Sequence, residues 1–173
     1  MKLLQPEEIQ NMKQIRRNVF ETNSSSTHSM VIRHNGLENN KMPIDEDGYI
    51  HTQMGEFGWE VVNYTEQSDR LSYLVTMFGV KNGMDGWWRD NDSSIEEKVD
   101  ALMENPWFKE FSEEIARHAH CKGLIIDPSD GYIDHQSHDS YRSVDEFLDD
   151  WGTDAVEFVF GAGNIVHTDN DNH

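Results

Sequence analysis

The apolar residues of this 173-residue chain change their spacing near Ser68 and change it back near Gly123, and few architectures accommodate both changes. Leu71, Leu74, Val75 and Phe78 recur at i, i+3, i+4 and i+7, which places them on one face of a helix expected to end with Gly79 and Gly83. Ser94-Ile95-Glu96-Glu97 fits a capping box, with Ser93 or Ser94 as the cap. Ile95, Val99, Leu102 and Met103 form the inner face of the helix that follows. Asn105-Pro106 opens a third helix with proline in its first turn, and Trp107, Phe108, Phe111 and Ile115 form its stripe. Outside this stretch the patterns are strand-like: Lys13 to Phe20, Ser29 to His34, Tyr49 to Met54, Leu124 to Ile126 and Tyr132-Ile133. Two closing strands, Ala155 to Phe160 and Asn164 to His167, are joined by Gly161-Ala162-Gly163. One later helix starts at the capping box Ser143-Val144-Asp145-Glu146 and stops at Gly152. Strands at both ends around clustered helices predict an α+β fold. Its sheet, mixed or antiparallel, is built from N- and C-terminal strands, with a central cluster of three helices plus one later helix.

Length suits one domain. Met12-Lys13 restarts the chain like a second beginning, so residues 1–12 are read as an extension, 13–168 as the domain and 169–173 as a polar tail. Hydrophobic content is 36%, yet five Trp, eight Phe and five Tyr supply enough apolar bulk for a core. No run approaches the ~20 apolar residues of a membrane span. Met1-Lys2-Leu3-Leu4-Gln5-Pro6 lacks the apolar region of a secretory signal. The one cysteine, Cys121, excludes an internal disulfide, agrees with a reducing cytosol, and is read as a packing residue at a helix end.

Nine consecutive polar residues, Glu21-Thr22-Asn23-Ser24-Ser25-Ser26-Thr27-His28-Ser29, need a hydrogen-bond partner for every amide and hydroxyl if buried. The run therefore lies on the surface or lines a polar cavity. Arg16 and Arg17 alternate in direction on a strand, so one of them can reach Glu21 or a bound anion. Successive Ser and Thr amides can curl into an anion-binding nest. His28 and Glu21 are the candidate proton carriers of an enzyme. The candidate ligand set is Arg16, Arg17, Glu21, Asn23, Ser24, Ser25, Ser26 and His28, fitted to a phosphate or nucleotide. The competing reading is an elaborate turn tied by local side-chain-to-backbone bonds. The run lacks the glycines and the Lys-Ser/Thr pair of a phosphate-binding loop, and no Gly-x-Ser-x-Gly elbow is present.

The segment Arg16-Arg17-Asn18-Val19-Phe20-Glu21-Thr22-Asn23-Ser24-Ser25-Ser26-Thr27-His28-Ser29 resembles the opening of a group of small bacteriophage and prophage proteins. In those, Met-Lys commonly starts the chain where Met12-Lys13 stands here, and the close Thr168-Asp169-Asn170-Asp171-Asn172 is similar to theirs. The resemblance implies a phage accessory protein acting in the cytoplasm of a bacterial host, but supplies no reaction. By class-level analogy, small acidic phage proteins include inhibitors of host defence and transcription, some of them DNA mimics and some anti-CRISPR proteins.

Metal and cofactor signals are weak, and neither is expected. His118 and His120 point apart on a helix. Asp134-His135-Gln136-Ser137-His138-Asp139 offers two imidazoles and carboxylates, but reads better as an exposed loop. Asp45-Glu46-Asp47-Gly48 resembles the middle of a calcium loop whose ligand positions at Pro43 and Met54 are wrong. Gly161-Ala162-Gly163 lacks the third glycine of a dinucleotide fingerprint.

Charge is the strongest chemical signal. The net charge is −19 at pH 7, which excludes free nucleic acid as a natural ligand. Residues 1–35 hold five Lys/Arg and three Asp/Glu, whereas residues 123–173 hold Arg142 against twelve acids. Acids repeat along helix faces: Glu96, Glu97, Asp100 and Glu104, then Glu110, Glu113 and Glu114, then Asp145, Glu146, Asp149 and Asp150. The first and third groups are the candidate partner-binding residues, with Trp87, Trp88 or Trp107 as anchors if exposed. Their expected partner is a host nucleic-acid-binding protein with a basic groove.

Overall fold

The computed structural model describes residues 26–58, 60–82 and 93–170. In chain order the strands and helices are β1 (Ser26–Val31), β2 (Tyr49–Gln53), β3 (Glu56–Phe57), β4 (Val62–Tyr64), α1 (Gln67–Lys81), α2 (Ile95–Glu104), α3 (Pro106–Ala119), β5 (Gly123–Asp127), β6 (Tyr132–Ile133), α4 (His135–His138), α5 (Val144–Trp151), α6 (Ala155–Phe160) and β7 (Ile165–Asn170). The class is α+β, as the periodicity predicts. β7 lies between β1 and β4 and is antiparallel to both, so the first and last described strands pair directly. Two parallel pairs, β2 with β5 and β3 with β6, complete the β-structure. The expected strand Lys13 to Phe20, the 1–12 extension and the loop around Trp87 and Trp88 lie outside the described residues. Asp169 and Asn170, assigned above to a tail, belong to β7.

The helices start where the local chemistry says. Ser94 and Glu97 form the full capping box of α2, each side chain bonding the other's backbone N–H. Asn105 Oδ1 accepts from the amides of Trp107 and Phe108 ahead of α3. At α5 only half of the predicted box forms. Ser143 Oγ accepts from Glu146 N, but the Glu146 carboxylate takes the amide of Arg142 instead. Gly152 ends α5 in the left-handed conformation at φ 65.

Two expectations fail for physical reasons. Gly79 does not end α1, which runs through it to Lys81. Every residue from Tyr73 to Val80 is buried, because α1 packs against β2, β6, α2, α5 and α6 at once. The predicted stripe was one side of a helix enclosed on nearly all sides. Ala155 to Phe160 is a helix and not a strand, so three helices follow β5 where one was expected. Asp154 caps α6 by accepting from Glu157 N at 2.7 Å. Its other end is held by Arg70, which is 2% exposed. The guanidinium donates twice to Val159 O, and also to Thr65 O and Asn164 O. Asn164 Nδ2 donates to Glu157 O. The bonds to Val159 O and Glu157 O satisfy carbonyls in the last turn of α6, and both donors, Arg70 and Asn164, lie outside the six-residue window.

Candidate functional site

Of the candidate ligand set, Arg16, Arg17, Glu21, Asn23, Ser24 and Ser25 lie outside the described residues. Ser26 to Ser29 are extended in β1 and registered against Asn170 to His167 of β7. An extended strand is not the curl of an anion nest, so the nest fails for these four residues. His28 turns toward α1, where its Nδ1 lies 3.0 Å from the hydroxyl of the fully buried Tyr73.

Burial dominates the electrostatics of His28 and lowers its pKa from 6.5 to about 4. Asp134 opposes the shift, while His138 and His167 add to it. The imidazole is therefore neutral at pH 7, and burial likewise pushes the Tyr73 phenol up and keeps its proton on. His28 Nε2 is buried and has no hydrogen-bond partner among the described residues. If the phenol donates to Nδ1, the N–H at Nε2 is left over; if Nδ1 donates, the phenol proton is left over. Among the described residues either tautomer leaves one buried donor unpaired, at a cost of about 1–3 kcal/mol. Space here is closed by Gly58. A Cβ on it would come within 2.8 Å of Asp134 Cβ and 3.3 Å of His28 Nε2. Asp134 is buried and fixed, donating its amide to Phe57 O and accepting from Tyr132 Oη. A half-buried neutral imidazole, with Nδ1 on the Tyr73 hydroxyl and Nε2 enclosed, is poorly suited to proton transfer near pH 7.

The other histidines also take structural positions. His118 Nε2 lies 2.9 Å from Glu38 O, and the ring stacks on Phe160 at 4.3 Å; His120 is the left-handed residue that ends α3. His135 to His138 form a helical turn, not a loop. No three-residue His, Cys, Asp or Glu group able to hold a metal occurs among the described residues. Cys121 is half-buried just after α3 and packs against the core.

The acidic helices divide into engaged and free residues. Glu97 is in the α2 capping box, Glu104 pairs with Lys109, Glu146 bonds Arg142, and Asp150 accepts from Tyr141 Oη. Glu96, Asp100, Asp145 and Asp149 are exposed, and no basic group lies within ion-pair distance of them among the described residues. Trp107 does not join the buried stripe of α3 expected for it: Phe108, Phe111 and Ile115 face the core, and Trp107, one step round the helix, is 68% exposed, as an anchor requires. Beside it the fold assembles a groove of about 130 Å³ from α1, α3, α5 and α6, with Phe78, Phe111 and Leu148 in its lining. Glu110 and Glu114 from α3 and Asp145 from α5 bring carboxylates to it. The candidate partner set omitted Glu110 and Glu114. Their i, i+3, i+7 relation to Trp107 was the available signal.

No helix among the described residues is long and apolar enough to cross a membrane. Comparison of the chain with protein-family models, with curated proteins and with solved structures gives no match.

Proposed function

We propose that this protein is an acidic, phage-encoded inhibitor that works in the bacterial cytoplasm. It occupies the basic groove of a host nucleic-acid-binding protein or defence nuclease, in the manner of anti-CRISPR or anti-restriction proteins. The observation that carries the reading is the exposure of Glu96, Asp100, Asp145 and Asp149 on two helices with no cation within ion-pair distance among the described residues. Across α2, α3 and α5 there are five acid pairs at (i, i+4), Glu96–Asp100, Asp100–Glu104, Glu110–Glu114, Asp145–Asp149 and Glu146–Asp150, which together cost roughly 1–2 kcal/mol of helix stability. Carboxylates spaced along a surface can take the place of phosphates in a cationic channel and steer association over long range. The alternative, a phosphate- or nucleotide-handling enzyme centred on Arg16 to Ser29, gains nothing from the half-buried, neutral His28.

The test is capture from bacterial lysate on immobilised protein, alongside the E96Q/D100N/D145N/D149N variant. Retained proteins should bind nucleic acid, leave the resin as salt rises, and fail to bind when excess duplex DNA is present. Retention that neither DNA nor the four neutralisations disturb would end the proposal.

A further inference from the structure

We propose that the groove beside Trp107 receives an arginine side chain of the partner protein. The inference deepens the function above and rests on it for the class of partner, though not for the chemistry of the contact.

Three features combine there. The groove wall includes the buried rings of Phe78 and Phe111, so an occupant must bring apolar stem. Trp107 lies off the stripe that Phe108, Phe111 and Ile115 bury, and it leaves its indole in solvent at 68% exposure. Trp107, Glu110, Phe111 and Glu114 share one face of α3, and Asp145 approaches from α5. None of these three carboxylates has a basic partner among the described residues. At about 130 Å³ the groove is well below the ~300–1,000 Å³ of small-molecule pockets, so it fits a side chain better than a nucleotide.

A guanidinium meets all three demands. Its methylene stem covers the apolar wall. Its flat, weakly hydrated cation stacks on an indole face, and its fork of N–H donors serves more than one carboxylate. A lysine ammonium is more strongly hydrated and loses more water on entering a partly apolar groove.

The probe is a short capped peptide of Arg-Gly repeats, compared with the Lys-Gly and citrulline-Gly versions of equal length. The readout is the indole N–H resonance of Trp107, assigned with W107F. The arginine peptide should shift that resonance and bind several-fold tighter than the lysine peptide, and the citrulline peptide should leave it in place. E110Q/E114Q/D145N should weaken arginine binding about tenfold, while E46Q/D130N, exposed acids that belong neither to the groove nor to the partner-binding set, should change it little. Equal binding of the lysine peptide, or a silent Trp107 resonance while the arginine peptide binds, overturns the proposal. The two readings fail separately. If lysate capture fails but the peptide still selects Trp107, the host-target reading falls alone. If capture competes with DNA while Trp107 stays silent, the arginine pocket falls alone.

Discussion

Substituting His28 by glutamine should flatten a specific part of the protein's acid sensitivity. Glutamine stays neutral at every pH and can still meet the Tyr73 hydroxyl, so the variant removes a titration without removing the polar contact. In the folded chain the imidazole takes its proton only near pH 4, because burial outweighs the attraction of Asp134. In the unfolded chain it does so near its ordinary value of 6.5. Between those two values the unfolded state binds a proton that the folded state refuses. Stability from this group is thus complete above about pH 6.5, falls as pH drops toward 4, and is lost below that. Worked from the two values, the loss between pH 7 and pH 5 is about 2 kcal/mol. The assay is urea unfolding of both proteins at pH 7, 6 and 5. Carboxylates and the other histidines titrate in both, so the stability difference between wild type and H28Q isolates His28. That difference should move by about 2 kcal/mol against the wild type on going from pH 7 to 5. A difference that stays constant within ~0.5 kcal/mol, or a His28 resonance titrating near 6.5, would refute the burial argument.

Arg70→Lys should cost at least ~3 kcal/mol in urea unfolding, because an ammonium cannot serve the carbonyls of Thr65, Val159 and Asn164 together. Gly58→Ala should lose ~1–3 kcal/mol, since its φ of 141 and the approach to Asp134 both exclude a Cβ; thermal unfolding reads this directly. His51 lies between Asp127 at Nδ1 and Asp45 at Nε2, both at 2.9 Å, which raises its pKa. Its contribution is present below pH 6.5 and fades as pH rises through the folded value, so an NMR titration should fall back toward 6.5 in D45N/D127N. Asp149→Asn should raise stability by a few tenths of a kcal/mol in urea unfolding, while weakening lysate capture.

What was legible in the sequence was local. The Ser94–Glu97 box, the Asn105-Pro106 start of α3 and the glycine stop of α5 are contained in a few neighbouring residues, and each formed where expected. The β1 end was legible only in part. His28, Met30 and Ile32 alternate on one face, and Met30 and Ile32 are buried. A strand that starts at Ser29 leaves His28 out of that alternation, and with it the sign that His28 shares a face with Met30 and Ile32. α6 was misread because a six-residue apolar run suits a strand or a buried helix equally. Arg70 and Asn164 decide between them from more than 80 and about 7 residues away along the chain. The groove was illegible for the same reason: Trp107, Asp145 and Ala155 meet only after α3, α5 and α6 have packed.

The acids that stabilise the fold can be separated from those that do not. Glu97 bonds the Ser94 amide, Glu146 the Arg142 amide and Asp154 the Glu157 amide, and all three lie at helix N-termini where negative charge is favoured. The opposite ends gain nothing from acids. Neither α2 nor α5 carries a base in its last turn, and Asp149 sits where α5 ends, against the helix dipole. Glu110 and Glu114 lie beyond the first turn of α3, four residues apart, with like charges facing each other. Helix stability therefore explains the first set and is opposed by the second. Among the described residues the second set has no basic partner; Asp149 and Glu110 are exposed and Glu114 half-buried, and Glu110 and Glu114 flank the single indole left in solvent. A cation brought by another molecule would relieve the repulsion and the dipole conflict together, and so gains more at these helix faces than at an acid already engaged in a cap.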